Sequence, residues 1–153
     1  MTRTTADVRM QKYVNAIVLA AQMRKGLPIT VNQVREELKL TKDYARRFVV
    51  TLNEGIITRP ISKEIRTKYY GSDEDLASDE FELFHLLADN PGRYVTNTKI
   101  CEAINVNWLT RERRKTLHHI YLVVSRTREK GIPILNLNGY GYALDTREVL
   151  YNS

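Results

Sequence analysis

Fifteen residues of this chain, GLPITVNQVREELKL (Gly26–Leu40), are echoed by GRYVTNTKICEAINV (Gly92–Val106) at a constant offset of 66. Gly26 meets Gly92, Ile29 meets Val95 and Thr30 meets Thr96; further on, Val34 meets Ile100, Glu36 meets Glu102, Leu38 meets Ile104 and Leu40 meets Val106. Each pair has a physical reading. The glycine suits the left-handed position that closes a helix. The threonine suits an N-cap, and Gln33 would complete a capping box in the first copy. The apolar residues recur at i, i+4 and i+8, one face of a short helix, and Leu40 or Val106 plugs a tight turn. A duplicated unit of this size constrains the fold strongly, because each copy must find an apolar cover. Two domains rather than one are therefore expected of the 153 residues.

The flanks repeat as well. A helix precedes each copy: Asp7–Lys25, with Val8, Tyr13, Val14, Ile17, Val18 and Ala21 on a broad apolar face, and one capped by Ser78, with Phe81, Phe84, Leu86 and Leu87 apolar. A third helix follows each copy and stops at a glycine. The first is Thr41–Glu54 before Gly55, with Tyr44, Ala45, Phe48, Val49 and Leu52 inward; the second is Thr116–Lys130 before Gly131, with Leu117, Ile120, Val124 and Thr127 inward. Two strand-like runs come next in each half, Ile56–Arg59 with Glu64–Tyr70 and Ile134–Leu137 with Tyr140–Leu144. Helix, helix, tight turn, helix, hairpin is the order of a winged helix-turn-helix. The expected fold is thus mainly α with small β-hairpins (α+β), as tandem winged helix-turn-helix domains over residues 1–70 and 78–153, joined by an acidic linker at 71–77.

The second half carries a more specific likeness. DEFELFHLLADNPGRYVTNTKICEAI, HHIYLVVSRTREKG and ILNLNGYGYAL resemble the winged-helix output domain of OmpR/PhoB-type response regulators over about residues 78–145. The points of resemblance are Asn90-Pro91-Gly92-Arg93, the helix end Val124-Ser125-Arg126-Thr127-Arg128-Glu129-Lys130, and the wing motif Gly139-Tyr140-Gly141-Tyr142. It implies DNA contacts at His118, His119 and Arg126. Three features differ from the family. No receiver domain precedes the unit, Thr127 stands where leucine is usual, and Asn138 stands at the wing's arginine position. The third helices also close 76 rather than 66 residues apart, at Gly55 and Gly131, so about ten residues are added around NWLTRERRK (Asn107–Lys115). The corresponding loop of the family touches RNA polymerase, which makes Trp108, Arg111, Arg113 and Arg114 a candidate partner surface.

Charge separates the halves. Residues 1–71 hold 14 Lys and Arg against 6 Asp and Glu, a net of +8, whereas residues 72–153 hold 10 against 12, a net of −2. A basic face suits a polyanion. On the first recognition helix, Lys42, Asp43, Arg46 and Arg47 are outward candidates for the major groove. Arg59, Lys63, Arg66 and Lys68 on the expected first wing are candidates for phosphate. In the second wing, Asn138-Gly139 reads as a two-residue turn, with Asn136 and Asn138 near the tip and Tyr140 and Tyr142 on one face. The acidic run Ser72–Glu82 suits a solvated linker and helix N-terminus, or else a surface that docks a basic partner or mimics DNA.

Catalysis has no support: no nucleophile elbow, Walker loop, HExxH or paired-cysteine motif occurs. Adjacent His118 and His119 point about 100° apart on a helix, so no metal site is expected, and no cofactor. A lone cysteine, Cys101, suits a reducing cytoplasm, and no apolar run approaches the length of a membrane span. The expectation is a cytoplasmic, nucleoid-associated, sequence-specific double-stranded DNA-binding transcription regulator of bacterial, phage or plasmid type, monomer or homodimer. One alternative is a winged-helix interaction protein that binds RNA polymerase or a chromosome-organising complex; the other is a plasmid replication initiator.

Overall fold

The computed structural model describes residues 4–104 and 113–151; these form a mainly helical α+β fold with one three-stranded antiparallel sheet. Helices α1 (Thr5–Arg24), α2 (Val31–Leu38) and α3 (Lys42–Glu54) come first. Thr4, Thr30 and Thr41 cap them, each hydroxyl accepting the N–H of the residue three further on. Gln33 does not complete a capping box. Its amide donates to Gln22 Oε1 instead, which ties α2 to α1 (3.3 Å). Lys39 closes the α2–α3 turn at φ 54°, and Leu40 is half-buried behind it.

The second copy of the repeat is built alike. Helix α5 (Ser78–Ala88) leads into strand β1 (Val95–Thr96), and α6 (Asn97–Ala103) begins 66 residues after α2, capped by Thr96 as α2 is by Thr30. The cap of α5 is Ala77 rather than Ser78, and its N–H is satisfied by the Glu80 carboxylate (3.0 Å). Helix α7 (Arg113–Glu129) then leads into strands β2 (Ile134–Leu137) and β3 (Gly141–Leu144) and the short α8 (Arg147–Tyr151).

The segment after α3 departs from expectation. Residues 56–62 run without a strand, and α4 (Lys63–Tyr70) is a helix where the second arm of a hairpin is expected. Local chemistry explains this. Ser62 is an N-cap whose hydroxyl accepts the Ile65 N–H, Glu64 lies in the first turn, and Lys68 lies in the last. Pro60 also removes a ladder donor from the would-be first arm. The Ile61 N–H bonds Ala88 O instead, and Ile61, Ile65 and Tyr70 pack on the core of the second half.

The sheet, ordered β1-β3-β2, is the middle layer. Val95, Ile134, Tyr142 and Leu144 face a core made with α5, α6 and α7. Leu137 and Ala143 face the other way and join Tyr94 in a core with Leu19 and Met23 of α1, Val34 of α2 and Ala45 and Val49 of α3. All four residues of β3 are buried, as expected of a strand covered on both faces. Gly141 is required by the β1–β3 approach, since a Cβ there would fall 2.7 Å from the Val95 carbonyl carbon.

The equivalent glycines of the repeat meet each other. Gly26 (φ 91°) and Gly92 (φ 76°) are both left-handed, and a Cβ on Gly92 would fall 2.5 Å from Gly26 O and 2.9 Å from Leu27 N. Further hydrogen bonds cross between the halves. Asn53 Nδ2 donates to Tyr94 O (2.9 Å) while Asn53 Oδ1 accepts the Tyr94 N–H (2.7 Å), and the Tyr94 hydroxyl donates to Ile29 O (2.8 Å). Thr146 Oγ1 donates to Gly26 O.

The broad apolar face expected to bury α1 does not do so. Only Leu19 and Met23 of this helix are buried, while Val8, Tyr13, Val14, Ile17 and Val18 lie 40–65% exposed. Tyr44 is likewise outward rather than inward, at 61% exposed.

Candidate functional site

A group of basic and polar side chains lies where α3 meets the β2–β3 turn. Lys42 and Asp43 stand exposed in the first turn of α3, and Arg47 is exposed one turn on. Arg47 lies 5.5 Å over the ring of Tyr44. The inward stripe Ala45, Val49 and Asn53 sets this orientation by turning the other side of the helix outward. Arg46 sits at the seam: its Nε and Nη2 both donate to the carbonyl oxygen of Asn138, at 3.1 and 3.0 Å. The bond spans 92 residues of sequence and brings the hairpin tip of the second half onto the third helix of the first. Lys42, Asp43, Arg46, Asn136 and Asn138 thereby line one cleft, whose walls include Asn32, Tyr94 and Leu135.

The hairpin itself differs in detail from the two-residue turn. Its loop is Asn138 to Tyr140, because β3 pairs Gly141 with Leu137. The Tyr140 N–H bonds Leu137 O at 2.9 Å. Gly139 alone takes a positive φ, 75°, and Asn138 does not. Being in the loop, Tyr140 escapes the alternation of β3. It leans on the α1–α3 core and accepts from Asn53 Nδ2 at 3.1 Å, while Tyr142 is buried on the opposite face of the sheet. The two tyrosines are therefore not on one face.

The remaining candidates scatter. Arg59 is exposed on the irregular segment, and Lys63 and Lys68 are exposed on α4, with Lys68 5.2 Å over the Tyr69 ring. Arg66 is turned inward. It donates to Ile61 O (2.7 Å) and Asp89 (2.6 Å) and contacts His85 Nδ1 (2.8 Å), so it fastens α4 to α5. On α7, His118 is exposed and stacked near Tyr121, with ring centres 6.3 Å apart; His119 is half-buried and Arg114 exposed. Arg126 is engaged by Asp79 (2.7 Å) and Glu80 (3.6 Å). Thr127, where the resembled family has leucine, is fully buried because its hydroxyl returns to Val123 O (2.7 Å). Arg113 begins α7, whereas Trp108 and Arg111 lie outside the described residues.

Three acids of the run Ser72–Glu82 are engaged within the fold. Asp73 meets His85 Nε2 (2.9 Å), Asp79 meets Arg126, and the buried Glu80 carboxylate receives Lys130 Nζ. Burial pushes the Glu80 carboxyl up. The hydrogen bonds from Lys130 and the Ala77 N–H, with the charges of Lys130 and Arg126, outweigh it and hold the group below the usual carboxylate range. Burial raises Tyr94 to about 12, so its hydroxyl stays a neutral donor to Ile29 O. Cys101 is fully buried and its thiol is pushed up by that burial. Among the described residues no cluster of three or more His, Cys, Asp or Glu could hold a metal ion, and no helix is long and apolar enough to cross a membrane.

Two contributors escaped the sequence reading. Tyr44 seemed part of the apolar stripe and instead widens the outward face of α3. Asn53 carried a usable signal, since a polar residue at i+8 from Ala45 on an inward stripe needs a buried partner.

These elements define a class: a mainly helical α+β protein with a sheet between two helical layers and a basic helix face joined to a hairpin tip. Comparison with protein-family models, with curated proteins and with solved structures finds no match for this chain.

Proposed function

We propose that the protein binds double-stranded DNA as a sequence-specific regulator of transcription, through a composite of α3 and the β2–β3 hairpin. In this reading α2 and α3 act as a helix-turn-helix, and α5, β1, α6, α7, β2 and β3 follow the element order of a winged helix. The tandem is asymmetric: the first unit has no wing of its own and borrows the tip of the second. The observation that carries the proposal is the Arg46–Asn138 bond, which joins a recognition helix and a wing that the chain places 92 residues apart. Lys42 and Arg47 then supply donors for bases or phosphates, and Asn136 and Asn138 stand beside them.

Fluorescence anisotropy against a set of random and genomic duplexes tests this. Lys42→Ala and Arg47→Ala each weaken binding, and each lowers the slope of log affinity against log salt by about 0.9 if its side chain meets a phosphate. Affinity that is flat in salt, or unchanged in both variants, overturns the proposal.

A second reading is favoured by one observation. The outer face of α7 exposes Tyr121 (53%) and Leu122 (45%) beside His118, which suits a protein partner better than a groove. RNA polymerase retained by a Lys42→Ala, Arg47→Ala variant that has lost DNA would favour that reading.

A further inference from the structure

The exposed side of α1 is apolar along its length. Met10, Tyr13, Val14, Ile17 and Val18 are 43–65% exposed. They recur at three- and four-residue steps, and with half-buried Ala20 and Ala21 they form a second stripe about half a turn round from Leu19 and Met23. A helix that is apolar on both sides is normally covered on both. Asp7 brackets this stripe in the first turn and Arg24 in the last, both exposed.

We infer that this face of α1 is the contact with a second copy of the chain, and that the two helices pair antiparallel about a twofold axis. Charge complementarity selects that occupant and that direction. When two copies run antiparallel with paired residue numbers summing to 31, Asp7 of each faces Arg24 of the other. In the same register Met10 faces Ala21, Tyr13 faces Val18 and Val14 faces Ile17. The long side chains thus meet small or branched ones, and the contact is self-complementary, as a twofold interface must be. A parallel pair would set Asp7 against Asp7 and Arg24 against Arg24. Arg9 and Lys25 are also exposed on this segment, but the acid Asp7 at the edge of the stripe suits an antiparallel copy better than an anionic membrane surface. The helix is about 30 Å long at 1.5 Å per residue. A single helix pair lies at the low end of stable interface sizes, so dissociation at roughly micromolar concentration is expected.

Sedimentation velocity on the intact chain over a wide concentration range tests the assembly. The expected result is a reversible dimer, with Ile17→Glu raising the dissociation constant by at least about 30-fold. Because Ile17 is half-exposed and opposite the core, this variant keeps the wild-type circular dichroism, and keeps the wild-type melting temperature at concentrations where the wild type is monomeric. Direction is tested by cross-linking. Tyr13→Cys protein mixed with Val18→Cys protein forms a disulfide dimer under mild oxidation, whereas Met10→Cys alone does not. Three outcomes overturn the inference: a monomer at every concentration, whether or not it floats with lipid vesicles; a dimer unaffected by Ile17→Glu; and efficient self-cross-linking of Met10→Cys, which means parallel helices.

Discussion

Replacing Gly92 by alanine probes the contact on which the two halves of the molecule close. The new Cβ would fall 2.5 Å from Gly26 O and 2.9 Å from Leu27 N, where carbon contacts prefer about 3.5–4.0 Å. The Gly26 backbone cannot easily yield. Its N–H bonds Met23 O at 2.9 Å, its carbonyl receives the Thr146 hydroxyl, and the neighbouring Leu27 N–H bonds Gln22 O at 3.1 Å. The positive φ of 76° adds about 1–2 kcal/mol for any L side chain. Overpacking against fixed atoms costs typically 1–3 kcal/mol, so the total is about 2–5 kcal/mol. For a chain of this length, each kcal/mol lowers the melting temperature by about 2–4 °C. The proper control is Gly131→Ala. Gly131 also has a positive φ (94°), but a Cβ there meets nothing within 4 Å. It should lose only the conformational part, about 1–2 kcal/mol. Thermal melts followed at 222 nm by circular dichroism compare the two. Equal losses, or a smaller loss for Gly92→Ala, refute the close approach of the two glycine segments.

Other predictions separate roles within the fold and the candidate site. Arg46→Ala lowers both stability and DNA affinity because it holds the hairpin tip, whereas Arg47→Ala lowers affinity alone; melts and anisotropy on the same samples check this. Asn53→Ala leaves the N–H and carbonyl of buried Tyr94 without their side-chain partner and costs about 1–3 kcal/mol per group left unsatisfied, measured by urea denaturation; a loss under 0.5 kcal/mol contradicts the clamp. Glu80 has a folded pKa below its unfolded value. Its stabilisation is full above the unfolded carboxylate range and disappears as pH falls through the folded pKa. Stability measured from pH 6 downward should therefore decline less steeply in Glu80→Gln. Tyr94 has the opposite sign. Its contribution is full below its ordinary value of 10.0 and is lost as pH rises toward about 12, so Tyr94→Phe flattens the alkaline limb of the same profile.

The duplicated unit was legible because its signals are local. Threonine caps, glycines at helix ends and apolar steps of three and four residues are read within a single turn, and α2 and α6 begin at the expected offset of 66. The α3 face was legible for the same reason, since its inward stripe leaves Lys42, Asp43 and Arg47 no other direction. The expected first wing, Ile56–Arg59 with Glu64–Tyr70, was misread although the signal against it is local, since Ser62 and Glu64 mark the helix N-terminus of α4.

Tertiary structure decided what depends on partners far along the chain. Whether Arg46 reaches outward or bonds Asn138, and whether Arg66 and Arg126 stay free or pair with Asp89 and Asp79, turns on which helices pack together. A charged side chain looks the same in sequence whether it meets solvent or a carboxylate from a neighbouring helix. The apolar face of α1 is the converse case. Periodicity shows that a helix has apolar sides, and only packing shows that Leu19 and Met23 fill one core while Ile17 and Val14 remain outside it.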